Sequence, residues 1–249
     1  MKRIERGLIQ IIIFVIFNWS IIKAQQVEIE YTRIFNWVEV INKMDFLSQE
    51  EKDRNKLVYG NRSNEGSPYI LIANEDGSVY KEKEREGNVG YTWRSDEDIF
   101  ITYTEENMVT YIRELLGKRY LIEDQRPQFK WKILNELKEI AGFLCMKAET
   151  INHENGYPVF AWFTNKIPIH GGPEGFSGLP GMILSLELNG DDVVIIAKKV
   201  QIENEKKPLP LPKKMKGKKI GFYEFSEMKR SFIQKTLAAN KYPFWQLRY

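Results

Sequence analysis

The strongest constraint on the fold is an alternation of apolar and polar residues that turn-forming pairs interrupt repeatedly. It is clearest in residues 182–200, MILSLELNGDDVVIIAKKV, where Asn189-Gly190 separates two apolar segments. Asparagine and glycine both tolerate positive φ angles, so this pair suits a type I′ turn between two antiparallel strands. The segment therefore predicts a β-hairpin.

Similar segments follow one another along most of the chain. Residues 142–150 and 157–164 are predicted to form a second hairpin, and the segment QFKWKILNEL places Phe129, Trp131 and Ile133 on one face of a strand. Further strand candidates are residues 26–35, 68–74, 98–104, 108–115 and 119–124. The pattern predicts a mainly β or α+β fold in which a meander of hairpins forms one curved antiparallel sheet.

Two helices are predicted beside this sheet. In the polar segment LSQEEKDRNKLVY, Ser48 and Glu51 have the spacing of a capping box, which indicates a surface helix. A C-terminal helix is predicted over residues 226–240, with Ser226 as its N-cap and Asn240 closing its end.

Residues 203–219, ENEKKPLPLPKKMKGKK, are predicted to be a linker before the C-terminal helix. Alternating prolines favour an extended polyproline II conformation. The lysines of residues 206–219 have two interpretations. They form an ordinary solvated face, or they make peripheral contact with anionic lipid or lipopolysaccharide.

The first residues of the chain have the features of a secretory signal peptide. Lys2, Arg3 and Arg6 precede an apolar run over residues 8–22, and Ala24 is the candidate cleavage position. We therefore expect an exported protein, either periplasmic or secreted. The alternative is an uncleaved membrane anchor, although the apolar run is short for a spanning helix.

Residues 25–249 are predicted to form a single domain. The whole chain has a formal net charge of +3. Residues 1–24 carry four basic residues against one acidic residue, so cleavage leaves a domain with a charge near zero and nucleic acid is not a predicted partner. Because Cys145 is the only cysteine, no intrachain disulfide is possible and the hydrophobic core must hold the domain.

A glycine- and proline-rich segment, residues 165–181, separates two predicted strands. The Gly-Gly-Pro triplet at 171–173 is predicted to reverse the chain, and the Gly-Leu-Pro-Gly sequence at 178–181 to form a second bend. Leu179 is the apolar anchor of this bend. The segment is either a crossover that closes the open end of the sheet, or a lip for an apolar ligand or a partner.

Residues 131–184 resemble the bacterial GLPGLI family. The motif reads GLPGMI at 178–183, with methionine in place of leucine. Upstream, WKILNELKEIAGFLCMKA is similar to the family's Trp-x-Ile and Ile-x-Gly-Tyr-x-Cys-x-Lys-Ala block, with Phe143 in place of tyrosine. The resemblance implies a secreted or periplasmic protein of Gram-negative bacteria, and it brings no established activity and no catalytic residues.

No catalytic constellation is predicted. Cys145, His153 and His170 are the only cysteine and histidines, and a metal site would need them to converge. Cys145 lies in a predicted strand, where a lone cysteine usually behaves as a small buried hydrophobe. Glu174 has no identifiable partner for a glycosidase pair. We therefore predict neither a metal site nor a cofactor.

These observations favour a non-enzymatic binding module for an apolar ligand or an envelope partner protein. The alternatives are a structural accessory subunit of an envelope complex and a hydrolase with an unrecognised site. Trp131 and Trp162 are expected on one face of the sheet, as core residues or as the wall of an apolar groove. The candidate binding residues are Trp131, Trp162, Gly172, Pro173, Phe176, Gly178, Leu179, Pro180 and Gly181.

Overall fold

The computed structural model describes residues 26–60, 66–83, 98–241 and 243. The predicted signal peptide, residues 1–24, lies outside the described residues. Within them the chain forms twelve strands and three helices. None of these helices is long and apolar enough to cross a membrane.

All twelve strands belong to one sheet, as the alternation predicts. Strands β1 to β6 are Gln26–Phe35, Ser67–Asn74, Gly77–Glu82, Ile99–Tyr103, Met108–Leu115 and Lys118–Gln125. Strands β7 to β12 are Lys132–Ile140, Phe143–Ile151, Pro158–Thr164, Met182–Leu188, Val193–Glu203 and Lys218–Ile220. Their order is β12-β6-β5-β4-β3-β2-β1-β11-β10-β9-β8-β7, and all neighbours are antiparallel except β12 and β6.

Strand β1 lies at the centre of the sheet and joins two meanders, β2–β6 and β7–β11. It pairs with β2 on one side and with β11 on the other. Val27, Ile29 and Tyr31 alternate along the strand and are buried. Alternate side chains of a strand point to the same face, so these three residues carry the core across the junction of the two meanders. The prediction of a mainly β, largely antiparallel sheet is confirmed.

The loop between β9 and β10 reaches across the sheet. Gly171 lies against Ser78 of β3, and Gly175 lies against Tyr111 of β5. Both strands belong to the first meander, whereas the loop belongs to the second. Strands β7 and β11 also contact each other although three strands lie between them in the order, so the sheet curves as predicted.

The hairpin of β10 and β11 is confirmed, but its turn is longer than predicted. Asn189 and Gly190 have positive φ angles of 54° and 79°. The connection nevertheless has four residues, because Leu188 pairs with Val193. Asp192 accepts a hydrogen bond from Asn189 Nδ2 at 2.7 Å and closes this wider turn.

Strand β7 differs most from the sequence-based expectation. It begins at Lys132, so Phe129 and Trp131 precede it. Ile133 is 53% exposed, and the register shifts between Ile133 and Leu137. The predicted apolar face through Phe129, Trp131 and Ile133 is therefore wrong. A bulge and lysines are common on outer strands because they discourage pairing with another chain.

Two short helices follow β1. Helix α1, Trp37–Asn42, was not predicted, because six residues carry too little periodicity. Helix α2, Gln49–Tyr59, is the predicted surface helix and has no buried residue. Its capping box is confirmed, since the Glu51 amide donates to Ser48 Oγ at 3.3 Å and the Ser48 amide donates to Glu51 Oε2 at 2.9 Å.

Helix α3, Phe222–Ala238, confirms the C-terminal helix but begins before the predicted N-cap, Ser226. The amide of Phe222 donates to Asp124 Oδ2 of β6 at 2.8 Å, so a residue distant in sequence satisfies the first turn. Ser226 Oγ lies inside the helix and donates to the carbonyl of Phe222 at 2.8 Å. Asn240 follows the helix with a φ of 53°, as a residue that closes a helix does.

The predicted linker over residues 203–219 is shorter at both ends, because β11 reaches Glu203 and β12 begins at Lys218. Its course is fixed near β1 and β2. The Lys207 amide donates to Gln26 Oε1 at 3.1 Å, and Asn74 Nδ2 donates to the Lys207 carbonyl at 3.0 Å. The segment then continues to the other end of the sheet, where β12 pairs with β6.

Replacing Ser48 with alanine should fray α2 without unfolding the sheet. The change removes the oxygen that accepts the Glu51 amide. We expect amide exchange in the first turn of α2 to become about fivefold faster. The melting temperature should change little, because α2 has no buried residue. Hydrogen exchange followed by NMR measures both regions, and unchanged exchange in α2 would show that the capping box contributes nothing.

Candidate functional site

The glycine- and proline-rich loop combines a buried anchor with an exposed tip. Leu179 and Phe176 are 2% and 5% exposed, whereas Gly178 and Pro180 are exposed to solvent. The buried residues of the loop include Gly172, Pro173, Phe176, Leu179 and Gly181. The predicted anchoring role of Leu179 agrees with this burial.

Trp131 lies against the tip of this loop. Its Nε1 donates to the carbonyl of Ser177 at 2.8 Å. Phe129 stacks on Phe176 with ring centroids 4.7 Å apart, and Trp131 meets the same phenylalanine edge-on at 6.3 Å. The chain entering β7 therefore contacts the loop with two aromatic side chains. Trp131 is partly buried and lies beside the exposed Gly178.

Trp162 has a different set of neighbours. It is buried in β9, and its Nε1 donates to Glu187 Oε1 at 2.9 Å. The ammonium groups of Lys138 and Lys147 lie 5.4 Å from its ring centroid. Such cation–π contacts keep the ring covered. Trp162 thus packs among charged side chains of β7, β8 and β10, whereas Trp131 packs against the loop.

The loop also contains a largely buried carboxylate, that of Glu174. Glu174 lies in the 3-10 turn Pro173–Gly175 with a φ of 55°, which is unusual for a residue other than glycine. It accepts a hydrogen bond from Arg33 Nε of β1 at 3.1 Å, and both side chains are largely buried. At Gly175 a side chain would collide with Tyr111, whose Cζ lies 2.8 Å from the position of a Cβ atom.

A second group of buried charges lies beside this turn. Arg113 of β5 donates to Asp98 at 3.3 Å and to Glu154, which lies in the turn between β8 and β9. Lys229 of α3 donates to the other oxygen of Glu154 at 2.7 Å. We call Asp98, Arg113, Glu154 and Lys229 the ion network. It joins a strand of the first meander, a turn of the second and the C-terminal helix.

The opposite charges of the ion network stabilise one another. Burial alone would raise the pKa of Glu154, but the positive charges and hydrogen bonds of Arg113 and Lys229 outweigh burial and lower this pKa to about 2. Burial lowers the pKa of Lys229. The negative charge of Glu154 raises this pKa, whereas the positive charge of Arg113 lowers it further. Burial, followed by the charge of Glu154, raises the pKa of Tyr111.

The space between the ion network and the loop is small. A cavity of about 20 Å³ is lined by Tyr111, Arg113, Glu154 and Glu174 among other residues. This volume holds about one water molecule. A carboxylate with a pKa near 2 is also a poor general acid at neutral pH. The arrangement therefore suits a structural role better than catalysis on an organic substrate.

Sequence reasoning missed the ion network. Its members lie on four separate segments between Asp98 and Lys229, and no local spacing connects them. The one sequence signal for the network is that Lys229 lies on the apolar side of the predicted C-terminal helix, where a charged residue is unusual. Phe222, Phe225 and Ile233 form that side.

The cysteine and the two histidines stay apart. Cys145 is buried in β8, and burial raises the pKa of its thiol to about 11. His153 Nε2 lies 3.1 Å from the Gln128 carbonyl, and His170 Nδ1 lies 3.0 Å from the Leu179 carbonyl. In the part of the chain that the structure describes, no three His, Cys, Asp or Glu residues are grouped to hold a metal ion.

A larger open groove lies on the half of the sheet that ends at β7. Its volume is about 610 Å³, within the range of small-molecule sites. We call it the β7–β9 groove. It is lined by Gln128, Lys130, Lys132, Glu149, Thr150, Ile151, His153, Pro158 and Phe160.

Strand pairing determines which side chains meet in the β7–β9 groove. Lys132 is opposite Glu149, Glu149 is opposite Phe160, and Ile151 is opposite Pro158. Directly opposed residues share a face of the sheet. Ile151 is 55% exposed, so a large apolar side chain contacts water on this face. The groove has no local sequence signal, because its lining residues come from three separate segments of the chain.

Gly181→Ala should destabilise the protein strongly. Gly181 has a φ of 140°, and a Cβ atom there would lie 2.8 Å from the carbonyl carbon of Thr164. Gly142→Ala is the matched control, because Gly142 has a φ of 82° and free space around it. We expect a loss of about 1 kcal/mol for the control and at least about 2 kcal/mol more for Gly181→Ala in urea unfolding. Equal losses would show that backbone conformation alone matters at Gly181.

Stability should fall as the pH is lowered from about 4.5 towards 2. Unfolding returns Glu154 from a pKa of about 2 to its ordinary value of 4.5, so the unfolded chain binds more protons in this range. The contribution of Glu154 is complete above the ordinary pKa and is lost as the pH approaches 2. We expect it to be about 3 kcal/mol, measured by urea unfolding at several pH values.

Two variants separate Glu154 from the other carboxylates. Glu154→Gln should flatten this part of the pH profile and lower stability at neutral pH by about 3 kcal/mol, because it leaves Lys229 without its charged partner. Glu136→Gln, at a side chain that is 52% exposed, should keep the wild-type slope. A wild-type slope in Glu154→Gln would contradict the assignment.

Comparison with known proteins identifies a short family match and a shared fold. Residues 150–185 match a family described as a protein of unknown function, Porph_ging, and this range contains β9 and the whole glycine- and proline-rich loop. No curated protein matches the chain.

Two solved structures of PNGF-II, in space groups P21 and C2, have similar folds. Their TM-scores are 0.53 and 0.51, and their sequence identities are 19% and 17%. The similarity covers 82% and 83% of this chain but only 33% of each PNGF-II chain. The chain therefore spans about a third of the length of PNGF-II, and the likeness concerns the fold.

Proposed function

We propose that the protein is a non-enzymatic binding module whose β7–β9 groove takes an apolar ligand. The observation that supports this most directly is the groove itself. It is large enough for a small molecule, and Ile151, Pro158 and Phe160 give it an apolar floor. Covering the exposed side chain of Ile151 would remove apolar surface from water, which favours binding.

The proposal assigns no catalytic role to the buried charges. Glu154 and Glu174 are both ion-paired, and the adjoining cavity holds about one water molecule. These features support a structural role for the ion network, so a hydrolase is not our preferred function. A ligand that binds on the open face of the sheet needs no access to the network.

We also propose that the protein is an exported GLPGLI-type protein. The basic and apolar N-terminal sequence supports export. The similarity of residues 131–184 to the GLPGLI pattern supports the family. The Porph_ging match lies largely in the same region, over residues 150–185.

An envelope partner would have a separate surface at the loop tip. Trp131 is partly exposed beside Gly178, and Pro180 is exposed as well. Residues 206–219 are a second proposed contact, with anionic lipid. Lys213, Lys214, Lys216 and Lys218 are exposed there and form no ion pair within the described residues.

Titration with Nile red, a neutral apolar dye, tests the groove. The wild-type protein should bind the dye with increased fluorescence. Ile151→Asp should weaken binding about tenfold, because it places a charge on the apolar floor. Ile202→Asp is the matched control, because Ile202 is a strand isoleucine that is 45% exposed and lies in β11 outside the groove.

The two variants give the experiment a clear outcome. Wild-type affinity in Ile202→Asp and weakened binding in Ile151→Asp would support the groove as the ligand site. Equal affinities in both variants would place the dye elsewhere and contradict the proposal. Circular dichroism of each variant checks that the sheet is intact.

A further inference from the structure

We infer that the ligand of the β7–β9 groove is an amphiphile with a single anionic head group, which Lys130 binds. This inference rests on the proposed function and deepens it, because it names the chemical class of the ligand. It follows from the distribution of charge around the apolar floor.

The cations that line the groove differ in whether a carboxylate neutralises them. Lys132 Nζ lies 2.9 Å from Glu149 Oε1, so this lysine is already paired. Lys130 is exposed and forms no ion pair within the described ranges of the chain. Glu149 is the one carboxylate among the lining residues. The groove therefore keeps one uncompensated positive charge, on Lys130.

The neighbouring Lys147 does not change this balance. Its Nζ lies 3.0 Å from Glu136 Oε2, so its charge is paired as well. The same Nζ lies 5.0 Å from the ring centroid of Phe160 and covers one part of that ring. Phe160 is also a lining residue of the groove, where an apolar ligand would contact it.

Two other polar side chains of the groove, those of Gln128 and His153, lie within hydrogen-bond distance of backbone carbonyls. His153 Nε2 lies 3.1 Å from the Gln128 carbonyl, and the ring of His153 packs 5.2 Å from that of Phe129. The imidazole is therefore oriented by its neighbours. Lys130 remains the side chain with a free charge and the freedom to move towards a ligand.

The apolar floor and the unpaired charge of Lys130 together indicate the chemical class of the ligand. An alkyl or aromatic tail would cover Ile151, Pro158 and Phe160, and the anionic group would lie at Lys130. A cationic head group would be repelled, and a neutral one would gain no charge attraction from the lysine. An exposed ion pair of this kind favours the anion by about fivefold and weakens at high salt.

Displacement of Nile red by three amphiphiles with the same alkyl chain tests the inference. The probes are decanoate, decan-1-ol and decyltrimethylammonium, each used as dissolved monomers, below micelle formation for the two ions and below the solubility limit for the alcohol. Decanoate should displace the dye at about fivefold lower concentration than decan-1-ol at low salt. Decyltrimethylammonium should be the weakest of the three, and added salt should reduce the differences.

Two lysine variants identify the group that recognises the anion. Lys130→Met keeps the aliphatic length of the side chain and removes its charge. It should abolish the preference for decanoate while decan-1-ol still displaces the dye. Lys118→Met, at an exposed lysine of β6 far from the groove in the sheet order, should keep the preference.

The outcomes separate this inference from the proposed function. Equal displacement by decanoate and decan-1-ol in the wild-type protein would overturn the inference and leave the apolar groove in place. Failure of all three amphiphiles would overturn both. Binding to anionic vesicles without binding of monomeric decanoate would also overturn the inference, because it would assign the anion contact to a membrane surface.

Discussion

The sheet depends on the position of β1 between the two meanders. Within each meander, consecutive strands pair with each other, and several of them are joined by short turns that form from local sequence. Only the pairing of β1 with β2 and with β11 unites them into one sheet of twelve strands. Val27, Ile29 and Tyr31 carry the apolar core across this junction, and the hydroxyl of Tyr31 donates to the Ile183 carbonyl at 2.6 Å.

A second constraint arises where the loop between β9 and β10 fills the curve of the sheet. The loop contributes Leu179 and Phe176 to the core, and it also introduces the charge of Glu174. Buried charges require partners of opposite charge. Arg33 pairs with Glu174, and Arg113 and Lys229 pair with Glu154. The interior is thereby occupied, which leaves the open β7–β9 groove on the sheet surface as the proposed site for a ligand.

Local features were predictable from the sequence, and features that need distant residues were not. Alternation located most strands, and the Ser48 capping box located α2, because each depends on residues a few positions apart. The start of α3 was misplaced because its first amide bonds to Asp124 in β6. The ion network and the groove are also assembled from separate segments. Leu179 was predictable as an anchor, whereas the pairing of Glu154 with Arg113 and Lys229 had no local signal.

Helix α3 has a consequence for incompletely synthesised chains. Until this helix docks, Glu154 and Asp98 share the single positive charge of Arg113, and the apolar surface beneath Phe225 is uncovered. Chains that stop before α3 would retain all of the paired strands but would lack the ammonium group that pairs with Glu154 Oε2 and the apolar side chains that cover this region. Such chains would open more readily and become preferred substrates of proteases. Full stability therefore requires synthesis to continue through α3, which supplies both Lys229 and the buried side chains of Phe225 and Ile233.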